Sequence, residues 1–562
     1  MKFERTGKVL MIFFSILIGF FSNAQVDSSA THWVDSVFNS LTPQERVTQL
    51  MLLRVSEKTA TGVNFYDDKI IDAINTYNIG GVVLFQGGPV KQANMVNRFQ
   101  AAAKTPLMVC IDAEWGLGMR YDSVLPLNHQ LMLGAVQDAS LVYDYGKLVA
   151  NQCRRAGIHV NYAPVVDINN NPLNPVINDR SFGEDKYKVA LLGKAYMNGL
   201  QDNGVMACAK HFPGHGDVSV DSHKDLPVIN KSTGALDSLE LYPFKELFKA
   251  GVASVMVAHL YIPAIDSSAN RATSISKKNV TGLLRDDLHY QGLTFTDALN
   301  MQGVAKFFPG GEISAEALIA GNDMLCLPAD IPGSIKKINK AITDCLLTEE
   351  DINSRCKKVL YAKYKYIGTQ AVVIDTSHLA ADLNDSLKEM KLRVAKQAIT
   401  LLSLSGKLPQ LSLDHKKQKT TAYVGIGISA DNTIAKNLKS NYNADVFYYD
   451  YNDSANADSL ANAISQRYKN IIVGIHGYAR YPSNNFGISQ KAIALANAFK
   501  KYPQTFTLVF GNPYAIKYFC DAPNLMACYE DDSFTQKIAL EFLKGNISAT
   551  GTLPVTVCNK YK

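Results

Sequence analysis

The 562-residue chain has no CxxC pair, only two tryptophans, no low-complexity tract and no apolar stretch long enough to cross a bilayer. Each absence removes a class of protein. Without paired cysteines at ligand spacing a zinc ribbon is excluded, and nine cysteines, an odd number, cannot all pair within one chain. Cys520 and Cys528 lie closest in sequence and are candidates for a bridge, while the others read as small buried apolar residues. The formal charge of +6 is modest for a chain of this length, which argues against a nucleic-acid partner. What is present is ordinary for a folded enzyme: 47% hydrophobic and 19% charged residues, too apolar for disorder and too long for one ordinary core.

The N-terminus carries Lys2, Arg5 and Lys8 ahead of an apolar run from Val9 to Phe21 that only Ser15 and Gly19 interrupt. The run is about thirteen residues, short of the roughly 20 that span a bilayer, and Ser22 and Ala24 have the small-residue spacing of a cleavage site. Residues 1–24 are therefore expected to be a signal peptide, with export to the periplasm or the extracellular space and no stable membrane insertion after cleavage. The leader takes +2 of the +6 formal charge with it, which leaves a mildly basic mature chain.

Between Val47 and Pro328, short apolar runs alternate with stretches of helical spacing. They are "LMLLRV", "GGVVLF", "LMVCID", "HVNYAPVVD", "VMACAKH", "SVMVAH", "LTFTD" and "DMLCLP". Strands buried on both faces and alternating with helices demand a parallel sheet, and eight such units close naturally into a (β/α)8 TIM-like barrel, expected over residues 25–366. An open doubly wound sheet of similar strand number is the alternative. Asp112, Asp167, Lys210 with His211, His259 and Asp297 all fall at or just past the C-terminal ends of these strands, the rim where barrel enzymes keep their chemistry. Helix caps account for one such aspartate, not for five rims at once.

Residues 367–391 are helical and polar and read as a linker. After it come "TAYVGIGI", "DVFYYD", "NIIVGIHG", "TFTLVFG" and "LMACYED", which predict a smaller open α/β, Rossmann-like domain over residues 392–562. Gly425, Gly427 and Ala430 fall in a G-x-G-x-x-A arrangement with Asp450 downstream, a weak dinucleotide signal because tight strand-to-helix turns use glycine anyway.

The densest chemistry lies in "KHFPGHGDVSVDSHKD", Lys210 to Asp225. His211 and His215 are four apart, but Pro213 and Gly214 between them disfavour the helix a zinc pair would need, so no metal is expected. "PGHGDVSV" has the composition of a mobile loop. Asp221 and His223, two apart, point the same way in an extended segment, where the carboxylate can fix the imidazole tautomer; a surface Asp/His pair is the other reading.

This stretch, with "IDAEWGLGMR", "NYAPVVDIN", "NDRSFGED" and "LTFTDALNM", closely resembles the family 3 glycoside hydrolases, and within them the β-N-acetylglucosaminidase branch. The likeness covers roughly residues 35 to 365, and "GTLPVTV" resembles the end of that family's second domain. The resemblance implies a retaining hydrolase without cofactor. Asp297 would be the nucleophile and His223 the general acid/base, oriented by Asp221, while Asp112, Arg120, Arg180, Lys210 and His211 would grip the sugar. It further implies an N-acetylglucosamine-containing glycan such as a peptidoglycan fragment as substrate. A β-glucosidase or glycoside phosphorylase of the same family, or a non-catalytic carbohydrate-binding protein, are the alternatives. The chain departs from the family pattern at Trp115, Gly116 and Leu117, where the family commonly has two glycines and an arginine. Whether Trp115 shapes a subsite or packs on the rim is open at this level.

Overall fold

The computed structural model describes residues 28–221, 225–406, 408, 409, 411 and 419–561. The proposed leader and His223 lie outside these residues. Strand β1 (Met51–Arg54) is followed by a hairpin of β2 (Ser56–Thr59) and β3 (Gly62–Phe65). Then come β4 (Gly81–Leu84), β5 (Met108–Ile111), β6 (Val160–Asn161), β7 (Met206–Phe212), β8 (Ser254–Val257), β9 (Leu293–Thr296) and β10 (Leu325–Cys326). Apart from the hairpin these strands form one parallel sheet in the order β10-β1-β4-β5-β6-β7-β8-β9. A parallel bridge between Phe295 and Met324 brings its last strand back to its first. Each of the eight expected runs supplies one strand of this barrel.

The strands are apolar without alternation because both faces are covered. β4, β5, β8 and β9 are buried at every position. Outside them, helices such as Ala139–Arg155 and Lys186–Gln201 turn one apolar stripe inward, and each starts at an aspartate, Asp138 or Asp185, whose carboxylate accepts the first free backbone N–H groups. Inside, Tyr162 of the β6 end meets the Phe295 ring of β9 at 5.4 Å between centroids, across the lumen. The barrel is a packed core and not a pore. Val83, Tyr162, Met256 and Cys326 form the top of that core and the floor of the cavity above it.

The second domain is a six-stranded sheet ordered β11-β16-β15-β14-β12-β13. Five strands run parallel: β12 (Thr421–Ile426), β13 (Asp445–Tyr449), β14 (Asn470–Ile475), β15 (Thr505–Val509) and β16 (Asn524–Ala527). They are the five expected from the sequence. The sixth, β11 (Thr400–Leu404), adds to β16 antiparallel and was not anticipated. Gly425 and Gly427 serve packing within the domain: a Cβ on Gly427 (φ +87°) would sit 2.2 Å from the His476 carbonyl, and one on Gly425 would sit 2.5 Å from Ile428. Asp450 closes its own turn through Asn452.

Residues 367–391 hold more structure than a plain connector. They include the helix Leu379–Leu383 and the start of Leu387–Ala398, and Arg155 ties the segment to the barrel through Asp382 and the carbonyls of Asp375 and Ser377. The cysteine pairing also differs from expectation. Cys520 bridges Cys558, 38 residues on, with Cα atoms 6.3 Å apart, while Cys528 is a buried free thiol. The C-terminal tail, which sequence spacing alone did not connect to Cys520, brings the true partner. Among the described residues no helix is long and apolar enough to cross a membrane.

Candidate functional site

A cavity of about 320 Å³ opens at the C-terminal rim of the barrel. Asp112, Arg120, Arg180, Lys210, His211 and Asp297 all line it. Asp112 follows β5 directly, and its two oxygens are held by Arg120 Nη2 at 2.6 Å and Lys210 Nζ at 2.7 Å. Burial alone would raise the Asp112 pKa, but the two cations outweigh it and hold the carboxyl at about 2.

Glu114, two residues on and fully buried, is the centre of the network and was not singled out from the sequence. Lys210 Nζ lies 2.8 Å from its Oε1, and Arg180 grips it with a two-pronged pair, Nη2 to Oε1 at 2.7 Å and Nε to Oε2 at 2.9 Å. Burial works against its charge, yet Arg180 and Lys210 keep it well below the usual carboxylate range. Lys210 itself is 1% exposed and, despite that desolvation, its pKa is raised by Asp112 and Glu114. Three cations and two anions thus form one continuous chain from Arg120 through Asp112, Lys210 and Glu114 to Arg180.

The imidazoles are fixed just as firmly. Asp167, beyond β6, accepts the His211 Nδ1–H at 2.7 Å and the backbone N–H groups of His211 and His215 at 2.7 to 3.2 Å. His211 Nε2 then faces Arg180 Nη2 at 3.4 Å, so this ring aims at the cavity. His215 is buried, and desolvation with the neighbouring His211 holds it at about 4. Among the described residues no group of three or more His, Cys, Asp or Glu side chains is arranged to hold a metal ion.

Residues 213–218 pack closely against the loop that follows β6. Gly216 packs so closely on the Ile168 carbonyl that a Cβ would fall 1.6 Å from the oxygen, and Asn174 Nδ2 donates to the carbonyls of His215 and Gly216 at 2.9 Å each. Val218 is fully buried with Ile229, Leu236 and Leu260. The glycines serve close approach there, not freedom. Asp221 is described but does not line the cavity. On the far side of His223, Asp225 Oδ1 pairs with Lys306 Nζ at 2.8 Å.

Asp297 follows β9, its backbone N–H bonded to the Val257 carbonyl and its Oδ1 accepting the Ala298 N–H at 2.8 Å. His259, fully buried, bonds the Ala298 carbonyl from Nε2 at 3.0 Å and Ser274 Oγ from Nδ1 at 2.6 Å, and so steadies the backbone beside Asp297.

The second domain reaches into the same space. Arg480 forms a two-pronged pair with Asp179, both distances 2.7 Å, and its guanidinium lies 5.0 Å from the Trp115 ring centre. Tyr481, its neighbour, lines the cavity. Trp115 both lines the cavity and packs on His129, 4.5 Å between ring centres, so the two roles left open for it coincide. Neither Arg480 nor Tyr481 carried a sequence signal, because the loop "GYARYP" has no periodicity and its partner Asp179 is 301 residues away.

With this geometry in place, residues 42–362 match the Glycosyl hydrolase family 3 N terminal domain. The chain belongs to that family. Among curated relatives it is 33% identical over 374 residues to "Beta-hexosaminidase A" of Pseudoalteromonas piscicida, covering 61% of this chain and 62% of the relative. It is 35% identical to a "Beta-hexosaminidase" of Thiobacillus denitrificans, over 44% of this chain and 70% of that one. The chain thus spans somewhat under two thirds of the length of the first of these. Among solved structures, a glycoside hydrolase family 3 β-N-acetylglucosaminidase from Paenibacillus sp. aligns with a TM-score of 0.76 at 28% identity, over 92% of this chain and 99% of that one. This family 3 chain therefore shares both layers of its architecture, barrel and second domain, with a solved relative.

Proposed function

We propose that this family 3 protein is a retaining exo-β-N-acetylglucosaminidase that removes terminal β-linked N-acetylglucosamine from glycans such as peptidoglycan fragments. One observation carries the reading: six side chains from three strand ends and two loops, Asp112, Arg120, Arg180, Lys210, His211 and Asp297, converge on a single rim cavity. The β-hexosaminidase names of the relatives and the β-N-acetylglucosaminidase name of the solved structure support the choice of sugar.

In the proposed reaction the Asp297 carboxylate attacks the anomeric carbon, a carbon–oxygen bond to the enzyme forms, and the glycosidic oxygen leaves with a proton from His223. Water then attacks the same carbon, gives its proton to His223 and displaces Asp297, restoring the starting state. Asp221 orients the imidazole. Asp112 and Glu114 are acceptor anions already neutralised by Lys210, Arg120 and Arg180, so sugar hydroxyls meet donors and acceptors that need no rearrangement. Neither step calls for a metal or organic cofactor. Export of the mature chain after residue 24 completes the proposal, and the Cys520–Cys558 bridge supports an oxidising compartment. We assign residues 25–366 to the catalytic barrel, 367–391 to the connection and 392–562 to the second domain.

The test compares hydrolysis of nitrophenyl N-acetylglucosaminide and nitrophenyl glucoside, with and without phosphate. The proposal expects preference for the first and no phosphate dependence. Faster glucoside cleavage would make the protein a β-glucosidase, and sugar phosphate as product a phosphorylase. Asp297→Ala is expected to abolish turnover, and a fluorinated N-acetylglucosaminide is expected to label Asp297. A label on another residue overturns the assignment.

A further inference from the structure

At the opposite end of the barrel a second cavity, about 390 Å³, is lined by Lys277, Arg285, Asp323, Asp351, Arg355 and Lys358 among others. Four cations face two carboxylates. Part of this is a structural staple: Asp323 Oδ2 accepts from Arg285 Nη2 and Lys358 Nζ, both at 2.8 Å, and from the Thr294 backbone N–H at 2.9 Å. Arg285 Nη1 and Lys358 Nζ also donate to the Gly292 carbonyl, which ties the helix Glu349–Ile367 to the start of β9. Asp323 Oδ2 is therefore fully engaged, and the carboxylate remains part of the cavity wall.

Arg355 stands outside that staple. Its side chain is 13% exposed, its Nη2 lies 4.0 Å from Asp351 Oδ1, and its buried Nη1 has no hydrogen-bond partner among the described residues. Asp351 is itself committed to the helix cap, its Oδ2 accepting from the Thr348 backbone and hydroxyl. Lys277, exposed, adds charge at the mouth. A buried guanidinium nitrogen left without an acceptor is costly. Burial depresses both Arg355 and Lys358 below their ordinary values, and Asp323 does not fully offset it.

We propose that this cavity is a binding site for a small phosphate-class oxyanion, seated on Arg355 with Lys277 and Lys358 at its edge. A tetrahedral oxyanion supplies acceptors to the planar guanidinium and offsets the local excess of positive charge. The site lies at the N-terminal ends of β9 and β10, away from the cavity of Asp112 and Asp297, and the inference does not rest on the proposed reaction.

The test is calorimetric titration of the full chain with inorganic phosphate and with glycerol phosphate, ionic strength held constant with chloride. Saturable binding is expected, weakened at least tenfold in Arg355→Gln and severalfold in Lys277→Ala, with turnover of the nitrophenyl substrate unchanged in both. Binding of inorganic phosphate alone identifies the free ion as ligand; binding of both admits a phosphomonoester. Lys277 is exposed, so its variant remains informative if Arg355→Gln fails to fold. The proposal is overturned by absence of saturable binding, or by binding that persists undiminished in the variants, which would place the phosphate in the catalytic cavity.

Discussion

Replacing Arg480 with alanine separates what the second domain contributes to substrate binding from what the barrel does alone. Arg480 lies on the loop after β14, and its two-pronged pair with Asp179 crosses from one domain to the other. Arg480 is 39% exposed and Asp179 only 10%, so the pair falls between the surface case, worth up to about 1 kcal/mol, and the buried case, where removing one partner costs about 3–5 kcal/mol. An intermediate of about 2 kcal/mol is reasonable, with about 0.5–1 kcal/mol more from the lost cation–π contact on Trp115. That energy docks a loop whose next residue, Tyr481, lines the cavity. If undocking the loop removes that wall, KM for nitrophenyl N-acetylglucosaminide rises by up to roughly 60- to 140-fold, about 1.4 kcal/mol per decade. kcat changes by less than threefold, since no contact of Arg480 involves Asp297. Arg480→Lys recovers only part of the loss, because an ammonium cannot reproduce the two-pronged geometry. In a double-mutant cycle with Asp179→Asn the two losses are strongly non-additive. An unchanged KM in Arg480→Ala, or a fall in kcat at constant KM, would refute the reasoning and leave the second domain as a brace only.

Two further predictions concern buried charge. Lys210→Met removes the ammonium between Asp112 and Glu114 and destabilises the barrel by about 3 kcal/mol at pH 7. Because both carboxyls are held below their unfolded values, their contribution is present above about pH 4 and is lost as pH falls toward 2, so the deficit in Tm narrows below pH 4; a deficit independent of pH would contradict the network. Lys363, fully buried with its Nζ on Gln49 Oε1 at 2.6 Å, is pushed down to about 7 by desolvation. Its charged form therefore costs stability below pH 7, and the cost fades as pH rises toward the ordinary lysine value. Lys363→Met is expected to raise Tm by several degrees at pH 6 and by little at pH 10; a lower Tm at both would show that the Gln49 bond outweighs desolvation.

The barrel was legible because parallel strands covered on both faces must be largely apolar, and "GVVL", "MVCI", "SVMV" and "LTFT" are buried at every position with only Ser254, Thr294 and Thr296 polar. The hairpin Ser56–Phe65 was not, since "SEKTATGVNF" is mostly polar and packs only one strand on another. Cavity-lining residues were legible where they sit at a strand end, as Asp112, Lys210 and Asp297 do. Glu114 sat inside a quoted motif, but its weight comes from Arg180 and Lys210, which are 66 and 96 residues away and become neighbours only when the barrel closes. Arg480 and Tyr481 were illegible for a related reason: their role is set by how two domains meet, and no local spacing encodes that.

The same logic explains why so many ionisable groups crowd Lys210 to Asp225. Two carboxylates on the β5 end and one on the β6 end would repel and pay full desolvation in a closed rim. Arg120 and Arg180 supply part of the counter-charge, and β7, which follows β6 in the sheet, supplies the rest. Lys210 meets the β5 pair and His211 meets Asp167, each within 2.8 Å. The chain must then leave the rim without lifting these groups out of place, and a glycine at 216, flush against the Ile168 carbonyl, lets it turn back over β6. Charge on β7 is thus dictated by charge on its neighbours, and glycine after it by how little room the closed barrel leaves. A substitution that only preserves the charge, such as Lys210→Arg, cannot satisfy the site, because the longer planar group does not fit between two carboxylates that each already hold an arginine.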